Sequence, residues 1–225
     1  MSKGYLIVFE GIDGSGKTTQ IEFLSQYLAT QGQALRAWGV KVISFPQYGQ
    51  NEYADRISDY LSGKLGKLSD IDPYEMAKLY ASDRKTVRDL IKGWLKSGKL
   101  VISNRYISSN KAHQGANLPK EKRAEFFKWL DELEYQTNGM PKPDLTILLK
   151  VDPKAGQENS QKDHKVDIHE KSLEHEQKAT QIYLELSKKE KNWTVVNCMK
   201  DGKMKPKEEI YQQILRILHG QVFGN

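Results

Sequence analysis

Short apolar runs alternate with amphipathic segments along this chain. The runs are rich in β-branched and aromatic residues and are too short for helices, so each predicts a buried β-strand. Strands that alternate with helices pair in parallel through right-handed crossovers. We therefore predict an α/β fold, an open five-stranded parallel sheet with helices on both faces and ligands at the carboxyl ends of the strands. The predicted strands are Tyr5–Phe9, Val40–Phe45, Leu100–Ser103, Leu145–Val151 and Trp193–Asn197.

Aspartate–proline pairs mark the starts of two predicted helices. Asp72 offers an N-cap carboxylate before Pro73, and Glu75 follows three residues after the cap. Asp152–Pro153 repeats the signal directly after a predicted strand. The helix that begins after Asp72 carries one apolar stripe, which predicts a single buried face formed by Met76, Leu79, Tyr80, Val87, Leu90, Ile91 and Leu95.

The segment from Gln157 to Val166 is polar and weakly periodic. It fits either a plain surface loop or a mobile lid, because lids have few buried contacts. We predict a short lid over residues 154–168 within one domain that spans residues 1–225.

Composition narrows the class of protein. The formal net charge is +6, but the lysines are scattered singly and in pairs, without an arginine-rich arm or interleaved aromatics, so we expect no nucleic-acid partner. No apolar run approaches the ~20 residues that a membrane helix needs, so we expect no membrane partner. The single cysteine, Cys198, fits a reducing cytosol. These features predict a cytoplasmic protein.

Residues 11–18, GIDGSGKT, match the phosphate-binding loop G-x-x-x-x-G-K-[ST]. The glycines let successive N–H groups turn inward as an anion-binding nest. Lys17 offers a charge to the β- and γ-phosphates, and Thr18 offers a hydroxyl to Mg²⁺. A predicted strand precedes the motif and an amphipathic segment follows it, as the motif requires. It predicts a nucleoside triphosphate site formed by Gly11, Asp13, Gly14, Ser15, Gly16, Lys17, Thr18 and Thr19.

Other P-loop classes fit the chain poorly. A GTPase needs the guanine-recognising sequence Asn-Lys-x-Asp, and the chain has Asn110-Lys111-Ala112-His113, without the aspartate. A helicase or AAA-type ATPase normally has a Walker B acidic pair, which we do not find. The remaining polar positions favour a site for a monophosphate acceptor.

Six segments in order resemble the thymidylate kinase family. They are FEGIDGSGKTTQ at 9–20, FPQYG at 45–49, YASDR at 80–84, NRY at 104–106, PKPDL at 141–145 and DIHE at 167–170. The resemblance spans nearly the whole chain. It implies a homodimeric kinase that uses Mg²⁺ and ATP as cosubstrate to phosphorylate dTMP to dTDP.

The resemblance also implies roles for individual residues. Arg105 clamps the acceptor phosphate, and Asn110 recognises the thymine base. Asp13 accepts a hydrogen bond from the deoxyribose 3′-hydroxyl. His113 falls where the family often has a tyrosine that excludes a ribose 2′-hydroxyl. The predicted acceptor site comprises Asp13, Phe45, Pro46, Tyr48, Tyr80, Arg84, Arg105, Ser109, Asn110, His113, Asp167 and Glu170.

Tyr80 and Arg84 are four residues apart on a predicted helix, so they share one face. An aromatic side chain there can stack on a base while the guanidinium reaches a phosphate. Phe45 is expected to pack under the base and Tyr48 to hydrogen-bond the acceptor phosphate.

Two departures from the family pattern affect catalysis. Asn104 stands where the family has an aspartate, so a metal site of Thr18 and Asn104 holds Mg²⁺ more weakly. Gly14 leaves no arginine in the P-loop, and none occurs between Arg123 and Arg216, where the lid lies. We therefore expect either a slower enzyme or a transfer step in which Lys162 or Lys165 joins Lys17 and Arg105 as catalytic residues.

Two alternatives stay open at this level. The chain could be a P-loop kinase for another nucleotide or for a deoxynucleoside, in which case Glu10 is a candidate general base. It could also bind nucleotides without kinase activity, as Asn104 and the arginine-free lid suggest. Against the second alternative, a site that only bound nucleotide would have no use for Arg84 and Arg105.

Overall fold

A computed structural model describes residues 4–30, 39–64, 72–160 and 173–223. Five parallel strands form the central sheet in the order β2-β3-β1-β4-β5. All five predicted strands are confirmed, with ends within one residue of the prediction. They are β1 Tyr5–Glu10, β2 Val40–Ser44, β3 Leu100–Asn104, β4 Leu145–Lys150 and β5 Trp193–Asn197.

The strand register brings three carboxyl ends together. Phe9 and Ser44 both pair with Asn104, one from each side of β3, and Glu10 pairs with Leu148 of β4. Because β1 is the central strand, the P-loop that follows it lies at the middle of this edge of the sheet. The carboxyl edge is therefore the place where the predicted ligand residues meet.

Full burial was predicted for every strand, and it is wrong for β2 and β5. Both lie at the edges of the sheet. Val42 of β2 is 45% exposed and Val195 of β5 is 40% exposed. An edge strand has a neighbour on one side only, so its apolar composition alone does not report how deeply it lies.

The sheet has helices on both faces, as predicted. Ile7 and Phe9 of β1 pack on one face with residues of the first and last helices, while Leu6 and Val8 pack on the other face. This alternation follows from the two-residue period of a strand. The helices are α1 Lys17–Thr30, α2 Glu52–Leu61, α3 Pro73–Thr86, α4 Arg88–Lys96, α5 Ile107–Ala116, α6 Arg123–Asp131, α7 Pro153–Ser160, α8 Leu173–Lys189 and α9 Lys207–Leu218.

The predicted stripe from Met76 to Leu95 does not form one continuous buried face. Val87 takes a non-helical conformation that ends α3 and precedes α4. This break changes the helical phase, so Met76 and Ile91 are buried whereas Leu90 is 50% exposed. The cap prediction is confirmed, because the Asp72 side chain accepts a hydrogen bond from the Tyr74 N–H.

Four short elements complete the described fold, two of which are a 3₁₀ helix, Lys120–Lys122, and a π-helical segment, His219–Phe223, that follows α9. A π-helical segment, Glu132–Thr137, continues α6, and a short hairpin, β6 Met199–Lys200 and β7 Lys203–Met204, follows β5. The Asp152 carboxylate caps α7 by accepting from the N–H groups of Lys154 and Ala155. None of the described helices combines the length and the apolar character that crossing a membrane requires.

Candidate active site

A cavity of about 830 Å³ opens at the carboxyl edge of the sheet, between the P-loop and helices α3 and α5. Apart from Gly11, every predicted site residue that the structure describes lines this cavity. They are Asp13, Gly14, Ser15, Gly16, Lys17, Thr18, Thr19, Phe45, Pro46, Tyr48, Tyr80, Arg84, Asn104, Arg105, Ser109, Asn110 and His113. The fold thus brings together segments that are spread over a hundred residues of sequence.

The P-loop wraps around its own lysine. Lys17 Nζ donates to the carbonyl oxygens of Gly11 and Ile12, at 3.0 and 2.9 Å, and to Ser15 Oγ at 3.2 Å. Gly14 and Gly16 have φ angles of 68° and 87°, which favour glycine. Gly11 does not line the cavity, and its carbonyl oxygen accepts from Lys17 Nζ. Helix α1 begins at Lys17, so its positive end faces the same space.

Burial, and after it the nearby charge of Arg105, lower the pKa of Lys17 to about 7. A bound polyphosphate favours the charged lysine and so raises this pKa. At pH 8, Lys17 of the nucleotide-free protein is mostly neutral. We therefore expect nucleotide binding to be coupled to the uptake of a proton, and the affinity for nucleotide to fall as the pH rises above about 7. Calorimetric titrations in two buffers of different ionisation enthalpy measure this uptake. Equal heats in both buffers at pH 8 would contradict the expectation.

Arg105 joins the P-loop to helix α5. Its guanidinium forms an ion pair with Asp13, and Nη1 lies 3.3 Å from the Gly11 carbonyl and 3.2 Å from both Ser109 Oγ and His113 Nε2. Its backbone has a φ of 64°, in the left-handed region that non-glycine residues seldom adopt. Such conformations concentrate at functional sites, where the surrounding structure holds them. Arg105 is therefore placed between the donor and acceptor sides of the cavity.

Glu10 anchors the start of helix α5 from beneath the cavity. Its Oε1 accepts from the N–H groups of Tyr106 and Ser109, at 3.0 and 3.1 Å. Its Oε2 accepts from Ser109 Oγ at 2.6 Å and from the Tyr183 hydroxyl at 3.0 Å. Burial raises the pKa of Glu10, although Ser109 and Arg105 oppose that rise. Because both oxygens hold the protein's own groups, this carboxylate is poorly placed to act as a general base.

Arg84 lies deeper in the cavity than Arg105 and is almost fully buried. Its Nε donates to Glu134 Oε1 at 2.8 Å, and Nη2 donates to Asn110 Oδ1. Asn110 Nδ2 in turn donates to Gln114 Oε1 at 2.7 Å. The guanidinium is thus held at the far wall of the cavity, beside Asn110, rather than at the P-loop where a transferred phosphate would lie.

Gln114 and Asp83 were not predicted from the sequence, and the first lines the site while the second supports it from outside the lining. Gln114 lines the cavity one helical turn after Asn110, and that spacing could have identified it. Asp83 is fully buried and holds the loop after β2, because it accepts from the Gln47 side chain at 3.0 Å and from Asn51 Nδ2 at 2.7 Å. Its position next to Arg84 gave no separate signal.

Thr18 and Asn104 meet at the donor side of the cavity. Asn104 Nδ2 lies 3.3 Å from Thr18 Oγ1, and Asn104 Oδ1 is buried without a hydrogen-bond partner in the described residues. Rotation of the Asn104 amide would bring this unpaired oxygen beside the Thr18 hydroxyl in place of the nitrogen, and the two oxygens are of the kind that Mg²⁺ prefers. The described part of the chain holds no group of three or more His, Cys, Asp or Glu residues that could bind a metal alone.

Helix α7 rests directly on the P-loop. A Cβ added to Gly14 would lie 1.9 Å from the Gly156 carbonyl oxygen, and one added to Gly156 would lie 2.8 Å from the Asp13 carbonyl oxygen. Asn159 Nδ2 donates to the Gly14 carbonyl at 2.9 Å. Residues 157–160 belong to helix α7. This part of the polar segment is therefore not a plain surface loop, one of the two structures that the sequence allowed. With α7 in this position, residue 14 can carry no side chain, an arginine included.

Substituting Gly14 with alanine should lower kcat/KM for ATP by about tenfold or more, because the methyl group displaces α7 and strains a positive φ. Steady-state kinetics measure the loss. Gly49→Ala is the matched control, since Gly49 also has a positive φ of 72° but no atom lies within 4 Å of its added Cβ. Equal kinetics for the two variants would contradict the steric argument.

Four predicted residues lie outside the described residues: Lys162, Lys165, Asp167 and Glu170. Residues 161–168 of the predicted lid fall there as well. Their roles stay predictions.

Comparison with known proteins gives one family. The family model described as thymidylate kinase matches residues 9–214. The thymidylate kinase of Mycobacterium tuberculosis (strain H37Rv) is 34% identical over 188 residues, covering 81% of this chain and 85% of that protein. The probable thymidylate kinase of Pyrococcus abyssi is 31% identical over 224 residues, covering 99% of each. The fold is similar to a solved structure of thymidylate kinase from Candida albicans, with a TM-score of 0.78 and 24% identity over 99% of this chain and 95% of that one.

Proposed function

The chain belongs to the thymidylate kinase family, and from this membership we propose how its cavity transfers the γ-phosphate of ATP to dTMP. Its activity is that of an ATP-dependent dTMP kinase, a phosphotransferase. The placement of Arg105 carries the proposal, because its guanidinium contacts the P-loop through Gly11 and Asp13 and contacts α5 through Ser109 and His113.

We place the donor phosphates at the P-loop. The inward N–H groups and the start of α1 bind the polyphosphate, and Lys17 turns from its own carbonyl partners to the β- and γ-phosphates. Asp13 remains paired with Arg105 and faces the acceptor sugar. This pairing keeps the Asp13 charge from repelling the phosphates.

We place the dTMP base against the far wall of the cavity. In this placement, Phe45 and Tyr80 lie against the faces of the base, whereas Arg84, Asn110 and Gln114 lie at the edge of the base. All five residues line the cavity. We therefore assign the buried Arg84 to the base, whereas its position in the sequence led us to expect a phosphate contact. His113 is held beside Tyr183 and His175 by ring contacts at 6.0 and 5.7 Å, at the sugar side of Arg105.

The transfer itself needs position and charge rather than a base. The attacking phosphate of dTMP is already anionic, so no residue has to remove a proton from it. Arg105 and Lys17 stabilise charge on the phosphoryl group as it moves between the two sites, since preorganised donors act strongly in a cavity that excludes water. Lys162 and Lys165 remain proposed contributors from the lid.

Mg²⁺ fits the donor side of this site. Thr18 Oγ1 and, with its amide rotated, Asn104 Oδ1 would be hard oxygen ligands, and the nucleotide would supply the negative charge that these two neutral groups lack. When bound, the ion would neutralise the β- and γ-phosphate oxygens. We propose Thr18 and Asn104 as its protein contacts.

Asn104→Asp should lower the Mg²⁺ concentration for half-maximal activity by about tenfold, because a carboxylate attracts the cation where an amide does not. Titrating Mg²⁺ at fixed ATP and dTMP tests this. An unchanged Mg²⁺ requirement would place the ion away from residue 104. Asn197→Asp is the control for an added negative charge, because Asn197 is exposed at the end of β5 and its Oδ1 accepts from the Met199 N–H, as a carboxylate also can.

The resemblance also leads us to propose a homodimer in the cytoplasm. Light scattering coupled to size-exclusion chromatography measures the dimer, and a monomer at micromolar concentration would contradict it.

The decisive experiment is ADP release from Mg·ATP with dTMP, dUMP, dCMP, dGMP, UMP and thymidine as acceptors. We expect dTMP to give the highest kcat/KM. Turnover with thymidine alone would indicate a deoxynucleoside kinase, an alternative that the engagement of both Glu10 oxygens argues against. No turnover with any acceptor would favour a nucleotide-binding protein without kinase activity.

A further inference from the structure

A buried ion pair lies behind the far wall of the cavity. Arg84 of α3 and Glu134 of the π-helical segment are 1% and 0% exposed, and Nε and Nη2 of Arg84 both donate to Glu134 Oε1. The other oxygen, Oε2, is buried with no hydrogen-bond partner among the described residues. Removing two charges from water often costs more than their attraction returns. We therefore do not expect this ion pair to contribute much to the free energy of unfolding.

In this segment a glutamate, Glu134, is more deeply buried than the leucine beside it. Leu133 is only partly buried, whereas Glu134 next to it is fully buried. This inversion occurs within Glu132–Thr137, and π-helical turns are rare and frequent at functional sites. The wider turn places the carboxylate at Arg84, which lies 50 residues earlier in the chain.

The direction of every hydrogen bond in this region follows from Arg84. A guanidinium only donates, so Asn110 must present its carbonyl oxygen to Nη2. Its amino group then faces Gln114, which must present Oε1. The two amide orientations, which are usually ambiguous, are thereby determined. We call these four residues, Glu134, Arg84, Asn110 and Gln114, the Arg84 network.

The Arg84 network leaves N–H donors for a ligand. Arg84 Nη1 and Gln114 Nε2 form no hydrogen bond within the described residues, and both residues line the cavity. A wall of donors favours a base edge with a carbonyl acceptor, such as O4 of thymine or uracil. It disfavours the amino group that cytosine carries at the same position, because two donors then face each other.

We propose that Glu134 is a positioning residue for base selection: by holding the Arg84 guanidinium, it sets the donor polarity of the wall formed by Asn110 and Gln114. This inference rests on the proposed placement of dTMP. Glu134 itself does not line the cavity and acts through Arg84. It also neutralises the guanidinium, so that the wall favours an uncharged base over a second phosphate.

The test is Glu134→Gln, which keeps the shape of the side chain and removes its charge. With saturating Mg·ATP, KM for dTMP should rise about tenfold or more, since hydrogen bonds from charged donors have this order of worth. The ratio of kcat/KM for dTMP to that for dCMP should fall by a similar factor, while KM for ATP stays unchanged. Asp131→Asn is the matched control. Asp131 lies three residues before Glu134, pairs with Lys111, and forms no ion pair or hydrogen bond with Arg84.

Glu134→Asp covers the case in which the glutamine variant fails to fold. It keeps the negative charge but moves it away from Arg84 by one methylene. The ratio of kcat/KM for dTMP to that for dCMP should therefore fall by less than it does in Glu134→Gln. A folded variant with the wild-type ratio would overturn the proposal. So would an equal loss for dTMP and dCMP together with a raised KM for ATP, because a purely structural role has that effect. Absence of dTMP turnover in the wild-type protein would instead refute the placement of dTMP.

Discussion

Arg105→Ala should lower kcat/KM for dTMP by about 10³-fold or more, the effect of losing an arginine that stabilises phosphoryl transfer. The large effect is expected because the other arginine that lines the cavity, Arg84, is held by Glu134 and Asn110. Among the described residues, this leaves Arg105 as the guanidinium within reach of the P-loop.

The Arg105 prediction is sharpened by two further variants. Arg105→Lys keeps the charge but loses the planar fork that spans Gly11, Asp13 and Ser109, so it should recover only a small part of the activity. Arg88→Ala is the control, since Arg88 pairs with Asp89 on the surface. Coupled ADP-release assays measure all three. A loss below about tenfold in Arg105→Ala would mean that another residue, such as a lid lysine, carries the transfer.

Lys17→Met should reduce kcat by about 10³-fold and leave the protein at least as stable as the wild type. The loss follows because Lys17 is the cation that lies within the P-loop and is positioned for the β- and γ-phosphates. The stability follows because a lysine whose pKa falls on folding opposes folding wherever the unfolded lysine is charged, here at all pH values below its ordinary pKa of 10.5.

Activity and thermal unfolding are therefore expected to change in different directions for Lys17→Met. The Tm from differential scanning calorimetry at pH 6 should equal or exceed that of the wild type, whereas Lys96→Met on the exposed end of α4 should alter neither quantity. A Tm lowered by many degrees would show that the contacts of Lys17 Nζ with Gly11, Ile12 and Ser15 outweigh its burial. Wild-type turnover in Lys17→Met would show that Lys17 does not take part in the transfer step.

The same balance between stability and function recurs across the site. Arg105 has a backbone conformation unfavourable for a side chain, and Glu134 has a buried oxygen without a partner among the described residues. Such costs are tolerated where a ligand uses the groups that bear them. In this cavity they occur at the phosphate end and at the proposed base end.

The sequence by itself determined the features that depend on near neighbours. The five strands follow from apolar runs, the starts of α3 and α7 from Asp72 and Asp152, and the P-loop from residues 11–18. Each signal is local, because strand period, capping and the nest of N–H groups involve atoms only a few residues apart.

Only the tertiary structure decided the features that depend on distant neighbours. The exposure of Val42 depends on which strand lies beside it, and the bare position of Gly14 depends on Gly156 of α7. Arg84 is held by Glu134, which lies 50 residues later in the chain, and only the fold brings the two together. A charged side chain must find its partner wherever the fold brings one, and residue spacing along the chain does not contain that information.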